Sequence, residues 1–508
     1  MVQGTMSSVG KSLLVAALCR IFKQDGWHVA PFKAQNMALN SFVTRDGREL
    51  GRAQAMQAEA AGVEVTAAMN PVLIKPEADS FAQVVVMGTP WARLAARDYY
   101  QQRGELWRVV TSALDSLRSH YDLVIIEGAG SPVELNLKQR DLVNMAVAHY
   151  ADAPVLLVGD IDRGGIFAQL LGTLMLLDEE ERSRVCGLIV NKFRGDMQLF
   201  QEGRALLEQR GGVPVLGVVP FLRDVGIADE DSVALDERPL LRPPEAPQRD
   251  HLDIVVVRLP HISNFDDFDP LRAEPGVVVR FVERADALAQ PDLIILPGTK
   301  TTIADLTHLH ACGMAAQIAA LAQQGTAVLG ICGGYQMLGS AIYDPHGSES
   351  NVAEATGLGL LPVVTHFNQQ KQTVRAGGGV MPDAQRGLFA GAAHLAWRGY
   401  EIHMGQTVRA GGALPLLHVA SRGEQTSDDT DGTIAANGWT AGTYIHGIFD
   451  NDDLRHTLLT NLATRKGIPR SHPATRFDRA ATYERLAAAV RPHLDMAQIT
   501  RIVGGLQV

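Results

Sequence analysis

A chain of 508 residues has room for about three domains at roughly 150 residues each. Its 46% hydrophobic and 20% charged residues can fill several cores, which excludes a disordered or low-complexity protein. A net charge of −10 argues against a general affinity for nucleic acid or for an anionic membrane, and no run of about 18 apolar residues suggests a membrane span.

The first chemical signal comes at the start of the chain. Gly4-Thr5-Met6-Ser7-Ser8-Val9-Gly10-Lys11-Ser12 has the make-up of a phosphate-binding loop. Its glycines let backbone N–H groups curl inward, Lys11 brings charge to the outer phosphates, and the Ser12 hydroxyl suits Mg²⁺. The apolar stretch Leu13–Phe22 reads as a helix whose positive end faces the same phosphates. Gly4, Thr5, Gly10, Lys11 and Ser12 are therefore nucleotide-binding candidates. The loop begins three residues from Met1, so the strand feeding it is two or three residues long, or the true start lies upstream. The run Leu13–Cys19 after Lys11 mimics a lipoprotein signal, but Leu18 is too bulky for the cleavage site.

Strand-like runs then alternate with helical stretches to about residue 226: His28–Phe32, Leu123–Ile126, Val155–Val158, Gly187–Val190 and Leu216–Val219. That alternation predicts an α/β domain with a mostly parallel sheet. Glu127 and Asp160 follow two of these strands and join Ser12 as candidate Mg²⁺ ligands. Asn191 and Lys192 end a third, where they could read the adenine edge. Residues 1–60 hold seven Lys/Arg against four Asp/Glu, a local excess that suits an anionic substrate.

From Gly226 to Asp250 the composition shifts to seven acidic residues, three arginines and four prolines, which predicts a linker over 227–250. A second α/β pattern covers 251–450, with strands at Ile254–Val257, Leu293–Leu296 and Ala327–Ile331. The polar stretch Ser421–Gly432 reads as a surface loop. Residues 451–508 read as a helical tail packed on the second domain, with Tyr483, Leu486, Val490 and Leu494 at helical spacing.

Gly330-Ile331-Cys332-Gly333-Gly334 lies between a strand and a helix predicted over Tyr335–Ile342. This is the thiol counterpart of the nucleophile elbow. A helix N-terminus favours thiolate, and the N–H groups of Gly333 and Gly298 could form an oxyanion hole. His446 ends a strand-like run and is the candidate base; His403 is a weaker candidate. Cys19, Cys186 and Cys312 have no such context, and the wide cysteine spacing suits a reducing cytoplasm rather than disulfides or zinc.

Together with these motifs, Pro31-Phe32-Lys33-Ala34-Gln35-Asn36-Met37, Met69-Asn70-Pro71-Val72-Leu73-Ile74-Lys75-Pro76, Glu127-Gly128-Ala129-Gly130-Ser131-Pro132, Asp160-Ile161-Asp162-Arg163-Gly164-Gly165 and Tyr444-Ile445-His446-Gly447 make nearly the whole chain resemble the cobyric acid synthases. The resemblance implies a dethiobiotin-synthetase-like ligase domain over 1–226 and a class I glutaminase domain over 251–450. It implies ATP- and Mg²⁺-dependent amidation of the b, d, e and g carboxylates of adenosylcobyrinic acid a,c-diamide, using four glutamines and four ATP. The expected partners are a corrinoid, L-glutamine and ATP, with no nucleic acid and no membrane. Lys33, Gln35, Asn36, Asn40, Gln54 and Asp162 are the corrinoid-binding candidates. The nearest rival is cobyrinic acid a,c-diamide synthase, which shares both modules; a non-enzymatic P-loop switch ATPase with a vestigial glutaminase is more remote. One departure stands out. Class I glutaminases carry Glu two residues after the histidine, and here that residue is Ile448. His446 must then be oriented by a backbone carbonyl, a water or another side chain such as Glu401. The thiol should therefore be only modestly acidified, and the glutaminase slow when the ligase site is empty.

Overall fold

The computed structural model describes residues 1–77, 81–222, 250–393, 395–469 and 475–505. These fall into two compact units. One holds residues 1–38, 49–222 and 478–505; the other holds 39–48, 250–393, 395–469 and 475–477. The linker expected over 227–250 lies outside the described residues apart from residue 250.

The first unit is built on parallel strands. Val2–Gly4, Val155–Asp160, Val185–Phe193 and Val215–Pro220 pair in that order. Val29–Phe32 pairs with Leu123–Ile126, and a parallel bridge from Val2 to Glu127 places this pair on the other side of Val2–Gly4. The short first strand is thus central, and its C-terminal end is where the chain turns into the helix Lys11–Gln24. Ligands of parallel α/β sheets sit at such an edge. A smaller mixed sheet, Gln35–Met37, Val72–Pro76, Phe81–Val86 and Thr89–Ala95, branches from the same unit.

The helix Lys11–Gln24 is buried nearly all round, which requires neighbours on more than one face. The helices Arg52–Ala61 and Arg479–Val490 pack against it. Here the structure corrects the sequence reading of the tail. Tyr483, Leu486, Val490, Leu494, Ile499 and Ile502 share a core with Leu14, Leu18 and Phe22 of the first unit; of the described tail, residues 451–469, with the helix Asp452–Lys466, and 475–477 belong to the second unit. The apolar stripe was read correctly but given the wrong partner.

In the second unit a six-stranded sheet runs Val277–Val282, Leu252–Val257, Leu293–Leu296, Ala327–Ile331, Thr440–Thr443, Thr433–Ile434, parallel except for the last pair. A second sheet is dominated by the long antiparallel pair Val363–Val380 and Ala396–Arg409. Its edge is the hairpin Leu417–Arg422 with Gln425–Asp431, where a loop was expected. The strand is polar because it is an edge: Arg422 bonds Asp429 across the pair at 2.7 Å, and most of its side chains face solvent. The helix expected over Tyr335–Ile342 is shorter and earlier, Gly333–Leu338, and the chain then enters the strand Ala341–Tyr343. No helix among the described residues is long and apolar enough to cross a membrane.

Candidate functional site

Two sites are built at strand ends, one in each unit. In the first, residues 5–10 curl between strand and helix, with Gly10 at φ +94°. A Cβ there would stand 2.3 Å from the Asn191 side-chain nitrogen, so only glycine fits. Asn191 donates to the Val9 carbonyl at 2.7 Å and Lys192 to the Ser8 carbonyl at 2.7 Å. Both residues therefore brace the loop backbone, whereas the sequence suggested that they read a base edge. Lys11 reaches the carbonyls of Met6 at 3.1 Å and Gly130 at 3.3 Å, and the Thr5 hydroxyl lies 3.2 Å from Gln169.

Glu127 is fully buried at the end of the neighbouring strand. Its carboxylate accepts from Ser12 Oγ at 2.8 Å, from Lys33 Nζ at 2.8 Å and from Gln57 Nε2. Ser12 and Glu127, two of the three expected metal ligands, are thus in direct contact, and hard oxygen donors at a P-loop fit a divalent cation. Asp160, the third, is buried and paired with Lys192 at 2.9 Å and Arg163 at 3.6 Å.

The corrinoid candidates are each held by other protein groups. Lys33 belongs to the Glu127 network. Asn36 donates to Gln54 at 3.1 Å, and both are buried. Gln35 accepts from the Tyr99 hydroxyl, and Asp162 pairs with Arg194 at 2.6 Å. Asn40 lies in the second unit, where it accepts from the Asn264 backbone N–H at 2.7 Å.

In the second unit, Cys332 sits between the strand Ala327–Ile331 and the helix Gly333–Leu338 at φ 51°, ψ −111°. Such a conformation is costly for a residue with a Cβ and marks a functional turn. The turn closes because Gly334 lies against the next strand: a Cβ on it would stand 2.0 Å from the Leu296 carbonyl oxygen. The sulfur is almost buried and contacts the Ile402 carbonyl at 3.6 Å. Gly298 lies beside His446, and a Cβ on Gly298 would come within 2.9 Å of the ring. Gly333 directly follows Cys332 and lies against Thr299, the residue after Gly298.

The acid absent from the sequence motif comes from elsewhere. His446 Nδ1 bonds Asp267 Oδ2 at 2.7 Å, and Asp267 Oδ1 accepts from the Gly447 N–H at 2.9 Å. Asp267 lies in the turn Phe265–Phe268, after the strand Leu252–Val257. Glu401, suggested from sequence, is instead held by Arg422 at 2.9 and 3.1 Å and does not orient the histidine. Burial alone would lower the His446 pKa. The Asp267 charge and hydrogen bond, with smaller contributions from Cys332, outweigh it and raise the value to about 10. With Nδ1–H fixed on Asp267, Nε2 is left for the thiol. His403 stacks on Tyr444 at 3.8 Å and bonds the Gly405 carbonyl at 2.8 Å; burial lowers its pKa to about 4, so it is a neutral packing residue. Burial pushes Cys19 far above the usual thiol range, as expected of an inert core cysteine.

Sequence reasoning missed Asp267. The available signal was Asn264-Phe265-Asp266-Asp267 just beyond the first strand of the second unit, an acidic run at the sheet edge that holds the elbow.

Comparison with known proteins agrees with this architecture. Residues 1–234 match the CobQ/CobB/MinD/ParA nucleotide binding domain, and residues 253–454 match the CobB/CobQ-like glutamine amidotransferase domain. A cobyric acid synthase from Sorangium cellulosum (strain So ce56) is 55% identical over 514 residues, covering 99% of this chain and 98% of that one. The chain belongs to the cobyric acid synthase family. Another member, from Chloroflexus aurantiacus (strain ATCC 29366 / DSM 635 / J-10-fl), is 51% identical over 503 residues, again 99% of this chain and 98% of the relative. Membership makes the chain a glutamine-dependent ligase: a P-loop unit and a glutamine amidotransferase unit on one polypeptide.

Proposed function

We propose that the chain amidates the b, d, e and g carboxylates of adenosylcobyrinic acid a,c-diamide, using ATP, Mg²⁺ and ammonia released from glutamine, and that it does so in the cytoplasm. One observation carries the reading: both chemistries that such an amidation needs are built into this chain, the P-loop with its Glu127 network and the Cys332–His446–Asp267 constellation. The name of relatives matched end to end, cobyric acid synthase, supports the reading, and four unpaired cysteines suit a reducing compartment.

The chemistry follows from the side chains. The Cys332 thiolate attacks the glutamine side-chain carboxamide, and the oxyanion accepts N–H groups from Gly333 and Gly298. His446 gives its proton to the departing ammonia, then takes one from the water that hydrolyses the thioester to glutamate. Asp267 holds the tautomer and offsets the imidazolium charge. In the ligase unit a substrate carboxylate takes the terminal phosphoryl group of ATP, giving an acyl phosphate and ADP. Ammonia displaces the phosphate to leave an amide. Lys11 and the loop amides hold the transferring phosphoryl group; a magnesium ion held by Ser12 and Glu127 would neutralise phosphate charge.

The two half-reactions should separate. Cys332→Ala should abolish glutamine-dependent amidation and keep amidation from ammonium salts, whereas Lys11→Ala should lose both. Product masses with the a,c-diamide, ATP, Mg²⁺ and glutamine decide the substrate. Four new amides support the assignment. An unchanged a,c-diamide, with turnover on the unamidated acid instead, would make the chain an a,c-diamide synthase.

A further inference from the structure

Two groups hold the His446 imidazole: Asp267 on Nδ1, and the Tyr400 ring stacked on its face at 5.2 Å with 16° between the planes. Both lead to Asn264. This residue has φ 54°, ψ 40° and starts the turn Phe265–Phe268 that carries Asp267; its carbonyl accepts from the Asp267 N–H at 3.1 Å. Asn264 Nδ2 donates to the Tyr400 hydroxyl at 2.7 Å. A left-handed conformation at a non-glycine residue persists only where its surroundings hold it. Here the holding groups are Asn40 and Ser41. Asn264 N–H donates to Asn40 Oδ1 at 2.7 Å, its Oδ1 accepts from the Ser41 N–H at 3.3 Å, and its Nδ2 also donates to the Ser41 carbonyl at 3.0 Å. The side-chain amide thus pairs with the Ser41 backbone as a neighbouring strand would, and Asn40, Ser41 and Asn264 are all buried. Segment 39–48 is held further by Arg375, which donates to the Val43 carbonyl at 3.0 Å and lies over the Phe42 ring.

We propose that segment 39–48 sets the competence of the glutaminase: Asn40 and Ser41 hold Asn264, and Asn264, a positioning residue, holds Asp267 and Tyr400 on the catalytic histidine. Asn40 is then part of the glutaminase, not of a corrinoid surface. The chain on both sides of the segment belongs to the nucleotide-binding unit, while the segment itself belongs to the unit that holds the histidine. The proposal rests on the glutaminase reading given above.

The test uses the full-length chain with Asn40→Ala, Asn264→Ala and the double variant. Each single change should lower kcat for glutamine-dependent amidation about 10- to 100-fold, the scale of a displaced catalytic group. KM for glutamine should stay within about threefold, since glutamine contacts are untouched. Ammonia-dependent amidation should persist, and the double variant should lose less than the product of the two single losses, because the Asn40 bond to the Asn264 N–H and the Asn264 side-chain bonds hold the same turn. Iodoacetamide labelling of Cys332, followed by peptide mass spectrometry across pH, should show a labelling profile displaced to higher pH than in the unaltered protein, because a less well held imidazolium favours the thiolate less. An unchanged kcat in Asn40→Ala, additive losses in the double variant, or a joint loss of kcat and KM with an unshifted labelling profile would each overturn the proposal. Failure of the underlying reading looks different: the unaltered chain would then release no glutamate from glutamine.

Discussion

Asp267 shows what a single carboxylate does for the glutaminase. It is buried, hydrogen-bonded by both His446 and the Gly447 N–H, and placed so that the imidazole has one usable tautomer. Asp267→Asn keeps the shape but removes the charge, and it should lower glutamine-dependent turnover about 10²- to 10⁴-fold. Steady-state glutamate release, with ammonia-dependent amidation as the control, measures this. The pH dependence has a definite sign. The folded-state pKa of His446 is raised from 6.5 to about 10, so its contribution to stability is complete below the unfolded value and lost as pH rises through about 10. In Asp267→Asn that alkaline loss should begin at lower pH, as thermal unfolding of the second unit would record. Near His446 in sequence the acid of the motif is replaced by Ile448. Asp267 is 179 residues away, brought close by sheet topology that no local motif encodes.

At the scale of elements, the two strand–turn–helix motifs were legible because their chemistry forces their sequence. The phosphate-binding loop has glycine at Gly10, where φ is +94° and a side chain would meet Asn191, and an elbow must have glycine where helix and strand touch. Gly334→Ala tests the second case. Its Cβ would meet backbone, not a flexible side chain, so the helix Gly333–Leu338 must shift and Cys332 with it. The expected cost is about 1–3 kcal/mol in the second unit, with a larger loss of glutaminase activity than of stability. Calorimetry and glutamate release on the same sample compare the two. The hairpin across 417–431 was not legible. Its outer strand Gln425–Asp431 is polar and acidic and is a strand because it pairs with Leu417–Arg422, which itself pairs with Val363–Val380, a partner far away in sequence. Buried strands such as Leu293–Leu296 announce themselves by composition; solvent-facing edge strands do not.

At the scale of the molecule, sequence order and spatial order differ. Two domains joined by a linker is the natural reading of one composition shift near residue 226, and the division of chemistry that it implied matches the family domains. The exchange of segments was hidden, because 39–48 and 478–505 carry no mark of which core they join. Leu486→Ala checks the second exchange. Leu486 is fully buried in the core that holds the phosphate-binding helix, and truncating it should cost about 2–5 kcal/mol. In calorimetry the transition that shifts is the one raised by adding ADP, which identifies the first unit; the other should stay in place.

That closing helix also dictates an order of events at the ribosome. The strands of the first unit emerge early, but the helix Arg479–Val490 that covers Val15, Leu18 and Phe22 is synthesised after the whole second unit. At about 5–20 residues per second it follows Pro220 by roughly 10–50 s. For that interval the nascent ligase exposes an apolar groove while the second unit is being synthesised, that unit ending at Phe477, two residues before the helix. The half that is translated first is thus the last to be closed.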